Sequence, residues 1–312
     1  MNENNEKVLI FDISVLLYTN LFNNDIQLEV QSFGFDVLKF YTLKNIFSTL
    51  QQFPKATNVF LCFDSGSPWR RNIYSLYKLN RKEFRKNYAI EEGGVIDWKK
   101  FFNFVDSLYN DFKNNLPFYS LKIQHIEADD IIYFIVKNEL YKNKEKIIIT
   151  KDHDYIQLLK YENVKIYDIF SKKYIEPHNL NIHFNSLLKF CIGDKNDNIP
   201  PIKSRFGIKK AEKFIISGEL DKMLQEENEY FKIFGKYKSD MMQNFIRNKK
   251  LIDFDEIPQN ILQQIENEFH NIVKNNDICE KKDKLFLYFV TNKYRYFVEE
   301  FPLLITYLEE IK

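Results

Sequence analysis

Three short runs of apolar, β-forming residues, VLIFD at 8–12, VFLCFD at 59–64 and KIIITKD at 146–152, each close on an aspartate. A weaker fourth run, VKIYD, follows at 164–168. Runs this continuously apolar suit strands buried on both faces rather than strands with one wet side. Between them, at 36–52, 98–114 and 128–141, apolar residues recur every three or four positions, as on helices. Alternating strands and helices predict an α/β fold: a mostly parallel central sheet covered by helices. In such a sheet ligands bind beyond the carboxyl ends of the strands, where strand order reverses. Asp12, Asp64 and Asp152 are therefore expected at one crevice.

After about residue 180 strand signals fade. Helical patterns at 184–192, 209–216, 220–234, 237–248, 258–273 and 302–311 predict a smaller, all-helical C-terminal domain. The boundary is expected in 177–183, dividing the chain into 1–182 and 183–312. No repeat, Gly/Ser linker or low-complexity tract interrupts it. With 45 basic and 44 acidic residues the net charge is +1, so any attraction to a polyanion must come from local segregation of charge. Three widely spaced cysteines, Cys62, Cys191 and Cys279, form no zinc pattern and fit a reducing compartment, here the cytoplasm. The apolar N-terminal stretch carries Asp12 and Asn20 and lacks a basic flank, so it reads as a strand rather than a leader. No apolar run reaches 18 residues, and a membrane span is not expected.

Further carboxylates surround the strand-end aspartates. Glu127, Asp129 and Asp130 fall within four residues, immediately before the apolar run IIYFIV. A single acid there would cap a helix; three imply another charge to neutralise. Asp152 and Asp154 are two apart, and Asp194 and Asp197 sit three apart in GDKNDNIPPI, a segment that read alone is an ordinary Asx-rich loop. Carboxylates gathered in one crevice repel by roughly 4 kcal/mol per close pair at an effective dielectric of about 20, so the cluster calls for cations. All-oxygen donors select hard ions, Mg²⁺ or Mn²⁺. A pair of them roughly 4 Å apart serves phosphodiester hydrolysis without a side-chain nucleophile.

FDIS, CFDSG, YKLNR, IEADDII, TKDHDYIQLL, GDKNDNIPPI and LIDFDEIPQNI occur in this order. The set resembles the 5′ nuclease (flap endonuclease) superfamily, with its PIN-like catalytic fold, and is most similar to the phage ribonuclease H branch. The resemblance implies a first metal on Asp12, Asp64, Asp129 and Asp152 with Glu127 close by, and a second, partly through water, on Asp154, Asp194 and Asp197. Asp130 would stand behind them, and His153 would face solvent. It also implies Mg²⁺-dependent 5′-3′ exonuclease and flap endonuclease action on DNA and RNA·DNA by a monomer, with removal of RNA primers in replication. A single-stranded-DNA-binding protein and a sliding clamp are the implied partners.

Residues 69–86 carry Arg70, Arg71, Lys78, Arg81, Lys82, Arg85 and Lys86 against Glu83 alone, a net +6 in a near-neutral chain. A solvated helix face explains a charge run equally well, but Trp69, Tyr74, Tyr77 and Phe84 are interleaved, as stacking on bases requires. The family places its arch, here about 69–90, at this position. Lys78 and Arg81 would approach the scissile phosphate, Tyr77 would stack on a base, and Arg70 and Arg71 would contact nucleic acid. With few apolar residues to bind it down, the arch is expected to be mobile. Lys203, Arg205, Gly207, Lys209 and Lys210, within about 190–213, resemble the family's helix-hairpin-helix grip on duplex phosphates, with its two glycines reduced to Gly207.

Other readings meet specific obstacles. A haloacid-dehalogenase-type phosphatase needs a carboxylate where Ser14 stands, and neither a P-loop nor a dinucleotide fingerprint is present. A PIN-type ribonuclease shares the strand-end acids but not the arch and helical domain. A branched-DNA-binding protein that kept the fold would be marked by missing acids, and here none of the expected acids is missing.

Overall fold

A computed structural model of the chain describes residues 6–91, 96–177 and 181–312, with the backbone alone for 87–91. The apolar runs form strands β1 (Lys7–Asp12), β2 (Ala56–Cys62), β4 (Glu145–Ile149) and β5 (Val164–Asp168), joined by the short β3 (Tyr119–Leu121) and β6 (Lys173–Tyr174). Every residue of β2 and nearly all of β1 are buried, as continuous apolar runs demand. The order is β3-β2-β1-β4-β5-β6, parallel throughout except for the β5–β6 edge.

The chain thus builds outward from β1 through β2 to β3, then returns to place β4 on the other flank of β1. That reversal sits at the carboxyl end of β1, where Asp12 pairs in register with Cys62 and the preceding Phe11 with Ile149. Asp64 and Asp152 follow the last residues of β2 and β4 by two and three positions.

The expected helices form at Asp36–Gln52 and Trp98–Asn115. The pattern at 128–141 divides into a helix, Ala128–Lys137, and a 3-10 turn, Glu139–Tyr141, because Asn138 turns the chain and its side chain accepts the Leu140 N–H at 3.0 Å. Among the described residues no helix is long and apolar enough to cross a membrane.

The division of the chain differs from the expected break at 182/183. One compact unit contains Met1–Gly66, Val95–Ile175 and Gln259–Lys312; the other contains Ser67–Gly94 and Glu176–Pro258. Part of the expected boundary, 178–180, lies outside the described residues. In the first unit the late helices return to the sheet: Phe269 stacks on Phe60 of β2 with centroids 5.8 Å apart, and Phe289 meets Phe47 edge-on at 5.6 Å. An amphipathic pattern tells that a helix buries one face, not which surface receives it. The second unit has its own core, in which Tyr77 joins Phe190, Cys191, Ile202, Ala211 and Leu251.

Candidate active site

In the first unit the acids gather around Asp12. Its side chain caps the Ile13–Leu21 helix by accepting the Val15 N–H at 3.1 Å, and its other oxygen accepts from the Tyr155 hydroxyl at 3.0 Å. Burial, then the nearby charges of Asp64 and Asp152, push the Asp12 pKa up to about 7. The backbone joins the neighbouring segments to it. Asp64 donates its N–H to Ser14 Oγ at 3.4 Å and accepts the Ala128 N–H on its carboxylate at 2.9 Å. Glu127 stands before the Ala128–Lys137 helix and is buried, Asp129 lies in the first turn, and Asp130 accepts the Glu127 N–H at 3.2 Å. Asp130 is thereby a cap, the simpler of its two readings. Asp152 caps the 3-10 helix His153–Lys160 by accepting the Asp154 N–H at 2.8 Å, and His153 is exposed.

The donor set fits a hard divalent cation: all oxygen, several carboxylates crowded around a buried one, and no cation side chain bonded to Asp12, Asp64 or Asp152 among the contacts above. Within this unit no three carboxylates among the described residues bring oxygens within 4.8 Å of one another. Ligation partly through water suits such spacing.

In the second unit the acids serve differently. Asp197 is a buried hub: Arg81 lies 2.6 Å from one oxygen, and Tyr77 hydroxyl and Lys78 Nζ lie 3.1 and 3.5 Å from the other. Burial opposes its ionisation, but the charges of Lys78 and Arg81 prevail and hold the carboxyl below its ordinary range. Asp194 accepts the N–H groups of Asn196 and Asp197 at 2.8 and 3.3 Å and pairs with Lys189 at 3.2 Å. Asp154, the third acid of the expected second metal group, belongs to the first unit.

Two expectations for the basic segment are corrected here. Tyr77 is 2% exposed and its ring belongs to the unit's core, so it offers no face to a base. Arg70, also 2% exposed, donates its Nε–H to the Leu251 carbonyl at 2.9 Å and lies 4.5 Å over the Trp69 ring, so it does not reach for phosphate. The basic run and its interleaved aromatics suggested exposure for both, but each has a partner more than a hundred residues away in the sequence. The base of the segment is also held down rather than loose. Asn80 donates to the Lys195 and Asn196 carbonyls, Asn198 to Leu76, and the Lys78 N–H to Asp197. Beyond this anchor a helix, Asn80–Glu91, carries the remaining cations. Arg71, half-buried, donates to the Tyr77 carbonyl at 3.1 Å and to Ser67 at 3.2 Å.

Lys203, Arg205, Gly207, Lys209 and Lys210 are all exposed at the start of the Ile208–Ile216 helix, for which Gly207 is the N-terminal cap. Gly207 has an extended backbone, φ −88°, and a Cβ there would meet nothing within 4 Å. Gly193 is the opposite case: at φ +72° a Cβ would lie 2.2 Å from the Ile199 carbonyl oxygen.

Residues 7–185 match the family described as 5′-3′ exonuclease, N-terminal resolvase-like domain. The chain belongs to the 5′-3′ exonuclease family. It is 30% identical over 251 residues to ribonuclease H of Enterobacteria phage T4, spanning 75% of each protein. The fold is that of the phage T5 5′-exonuclease, whose zinc-bound structure superposes with a TM-score of 0.62 at 22% identity, covering 86% of this chain and 99% of that one. The T5 flap endonuclease in a complex with DNA and metal ions matches with a TM-score of 0.59 at 21% identity, over 86% of this chain and all of that one.

As a member of this family the protein is a 5′ nuclease, a phosphodiester hydrolase. Reading its residues alone missed Tyr155, which bridges Asp12 and Asp129, and the hydroxyl of Ser14 beneath Asp64. The signal for Tyr155 was present in TKDHDYIQLL: a bulky polar residue one place after the second aspartate, at the start of a helical turn that must send some side chain inward.

Proposed function

We propose that this 5′-3′ exonuclease family member hydrolyses DNA and RNA·DNA from 5′ ends and at flaps, acts in the cytoplasm as a monomer, and removes RNA primers during replication. The observation that carries the reading is the buried carboxylate of Asp12 at the strand-order reversal, with the carboxylates of Asp64 and Asp152 beside it. Asp12, Asp64, Glu127, Asp129 and Asp152 would hold Mg²⁺, or Mn²⁺ in its place, and when bound the cation supplies activation of water and neutralisation of charge on the reacting phosphate. For a second cation, on Asp154, Asp194 and Asp197, the reading rests on the family resemblance.

The chain's own groups do the rest. Backbone N–H groups at Val15, Ala128 and Asp154 fix the orientation of Asp12, Asp64 and Asp152, so these carboxylates need little reorganisation. Lys78 and Arg81, paired with Asp197, would neutralise phosphate charge on exchanging that partner for substrate. The exposed Lys203, Arg205, Lys209 and Lys210 would bind duplex backbone, with Arg71 at the arch. That the T5 enzymes of the same fold hold metal ions and DNA supports metal and DNA binding in general; the residue roles rest on the family resemblance. A single-stranded-DNA-binding protein and a sliding clamp remain the proposed partners.

The test is a panel of end-labelled 5′-flap, nicked and RNA-primed duplexes incubated with Mg²⁺ and with EDTA. Cleavage in Mg²⁺ alone, abolished by Asp152→Asn with flap binding retained, is expected. An Asp152→Asn enzyme within about tenfold of wild type, equivalent to only about 1.4 kcal/mol, removes Asp152 from the metal site. No cleavage in either Mg²⁺ or Mn²⁺ identifies a branched-DNA-binding protein instead.

A further inference from the structure

Tyr155 is fully buried, and its phenolic oxygen lies 3.0 Å from Asp12 Oδ2 and 2.7 Å from Asp129 Oδ1. A phenol has one hydrogen to donate, yet here it stands between two carboxylates delivered by separate elements: the end of β1 and the first turn of the Ala128–Lys137 helix. Tyr155 itself comes from a third, the His153–Lys160 helix, whose first turn is set by the Asp152 cap. The same turn that presents Asp152 and Asp154 therefore sends a hydroxyl inward to the other two acids.

We infer that Tyr155 is a positioning residue for the divalent-cation site: its hydroxyl fixes the rotamers of Asp12 and Asp129 and keeps the two carboxylates in one site. The inference rests on the reading of these acids as metal ligands. Geometry favours it over a packing role. A ring that only filled space would need no oxygen, and burying a hydroxyl is unfavourable unless it is bonded. The hydroxyl occupies one oxygen of each carboxylate. On Asp12 the other oxygen is already oriented by the Val15 N–H, so the group has one rotamer that satisfies both bonds. The hydroxyl's one hydrogen is divided between the two acceptors or donated to one at a time, and the O–H dipole placed between them offsets part of the repulsion of two like charges held close together, the condition a cation site must meet before the cation arrives.

Tyr155→Phe removes one oxygen and leaves the ring, with Tyr155→Met as a second probe should the Phe variant fold poorly. Mn²⁺ binding is followed by electron paramagnetic resonance and calorimetry, the melting temperature with and without Mg²⁺, and kcat and KM on a 5′-flap duplex across Mg²⁺ concentrations. The expected result is Mn²⁺ affinity about tenfold weaker, a smaller Mg²⁺-induced rise in melting temperature, and kcat reduced at low Mg²⁺ but recovered at high Mg²⁺, with KM for DNA unchanged. A variant with a lower melting temperature but wild-type Mn²⁺ affinity and Mg²⁺ requirement assigns Tyr155 to packing and overturns the inference. Wild-type protein that binds no Mn²⁺ and gains no stability from Mg²⁺ overturns instead the metal reading on which it rests.

Discussion

Arg70→Met separates an internal staple from a nucleic-acid contact. Methionine keeps much of the apolar stem but loses the Nε–H bond to Leu251 and the stacking on Trp69. Leu251 belongs to the last turn of the Asp240–Ile252 helix, where carbonyls lack helical partners and a cation meets the negative end of the dipole. A hydrogen bond from a charged donor contributes about 1.5–3 kcal/mol, and a desolvated cation–π contact about 1–2 kcal/mol. Relief from burying a guanidinium returns part of this, leaving a net loss of about 2–3 kcal/mol. That corresponds to a melting temperature lower by about 3–5 °C for a chain of 312 residues. An exposed arginine that only touches phosphate would change stability by no more than about 0.5 kcal/mol. Urea and thermal melts give the stability, and fluorescence anisotropy on a flap duplex at several salt concentrations gives binding. Unchanged melts together with weaker, less salt-dependent binding would refute the staple and return Arg70 to the DNA surface.

Gly193→Ala forces a Cβ against the Ile199 carbonyl and should destabilise the loop holding Asp194 and Asp197 by more than about 2 kcal/mol, whereas Gly207→Ala should stay within about 1 kcal/mol; paired urea melts test the contrast. Glu227 is held below its ordinary pKa because, although burial opposes ionisation, its carboxylate accepts the N–H groups of Ser239 and Lys238. A depressed carboxyl stabilises the fold above the ordinary glutamate value of about 4.3 and loses that contribution as pH falls through its lowered folded value. The stability gap between wild type and Glu227→Gln, followed by urea melts, should therefore close as the pH is taken below 4. Lys209→Ala should weaken duplex binding and reduce its salt slope by about 0.9 with kcat unchanged; a kcat effect at constant affinity would move Lys209 into the catalytic centre.

Legibility followed the range of the interaction. Strands β1, β2, β4 and β5 were readable because both-face burial writes itself into consecutive residues. β3, only Tyr119–Leu121, was not, since its identity depends on pairing with Phe60–Cys62. The Ile13–Leu21 helix was hidden because the apolar run continues across Asp12 and only the cap marks the change. The strand-end acids were found at their predicted level in the sheet. The fates of Arg70 and Tyr77 were not, because Leu251 and Asp197 are distant in sequence and a charge run carries no record of its partners.

The return of residues 259–312 to the sheet has a consequence for synthesis. At about 5–20 residues per second, the interval between completion of β6 at Tyr174 and the start of the Gln259–Asn275 helix is about 4–17 s. During that time the ring of Phe60 lacks Phe269 and that of Phe47 lacks Phe289, so a nascent sheet leaves the ribosome with apolar surface bare. Cutting the gene at the helical boundary suggested by sequence would make this transient exposure permanent, yielding a sticky fragment in place of an autonomous catalytic piece.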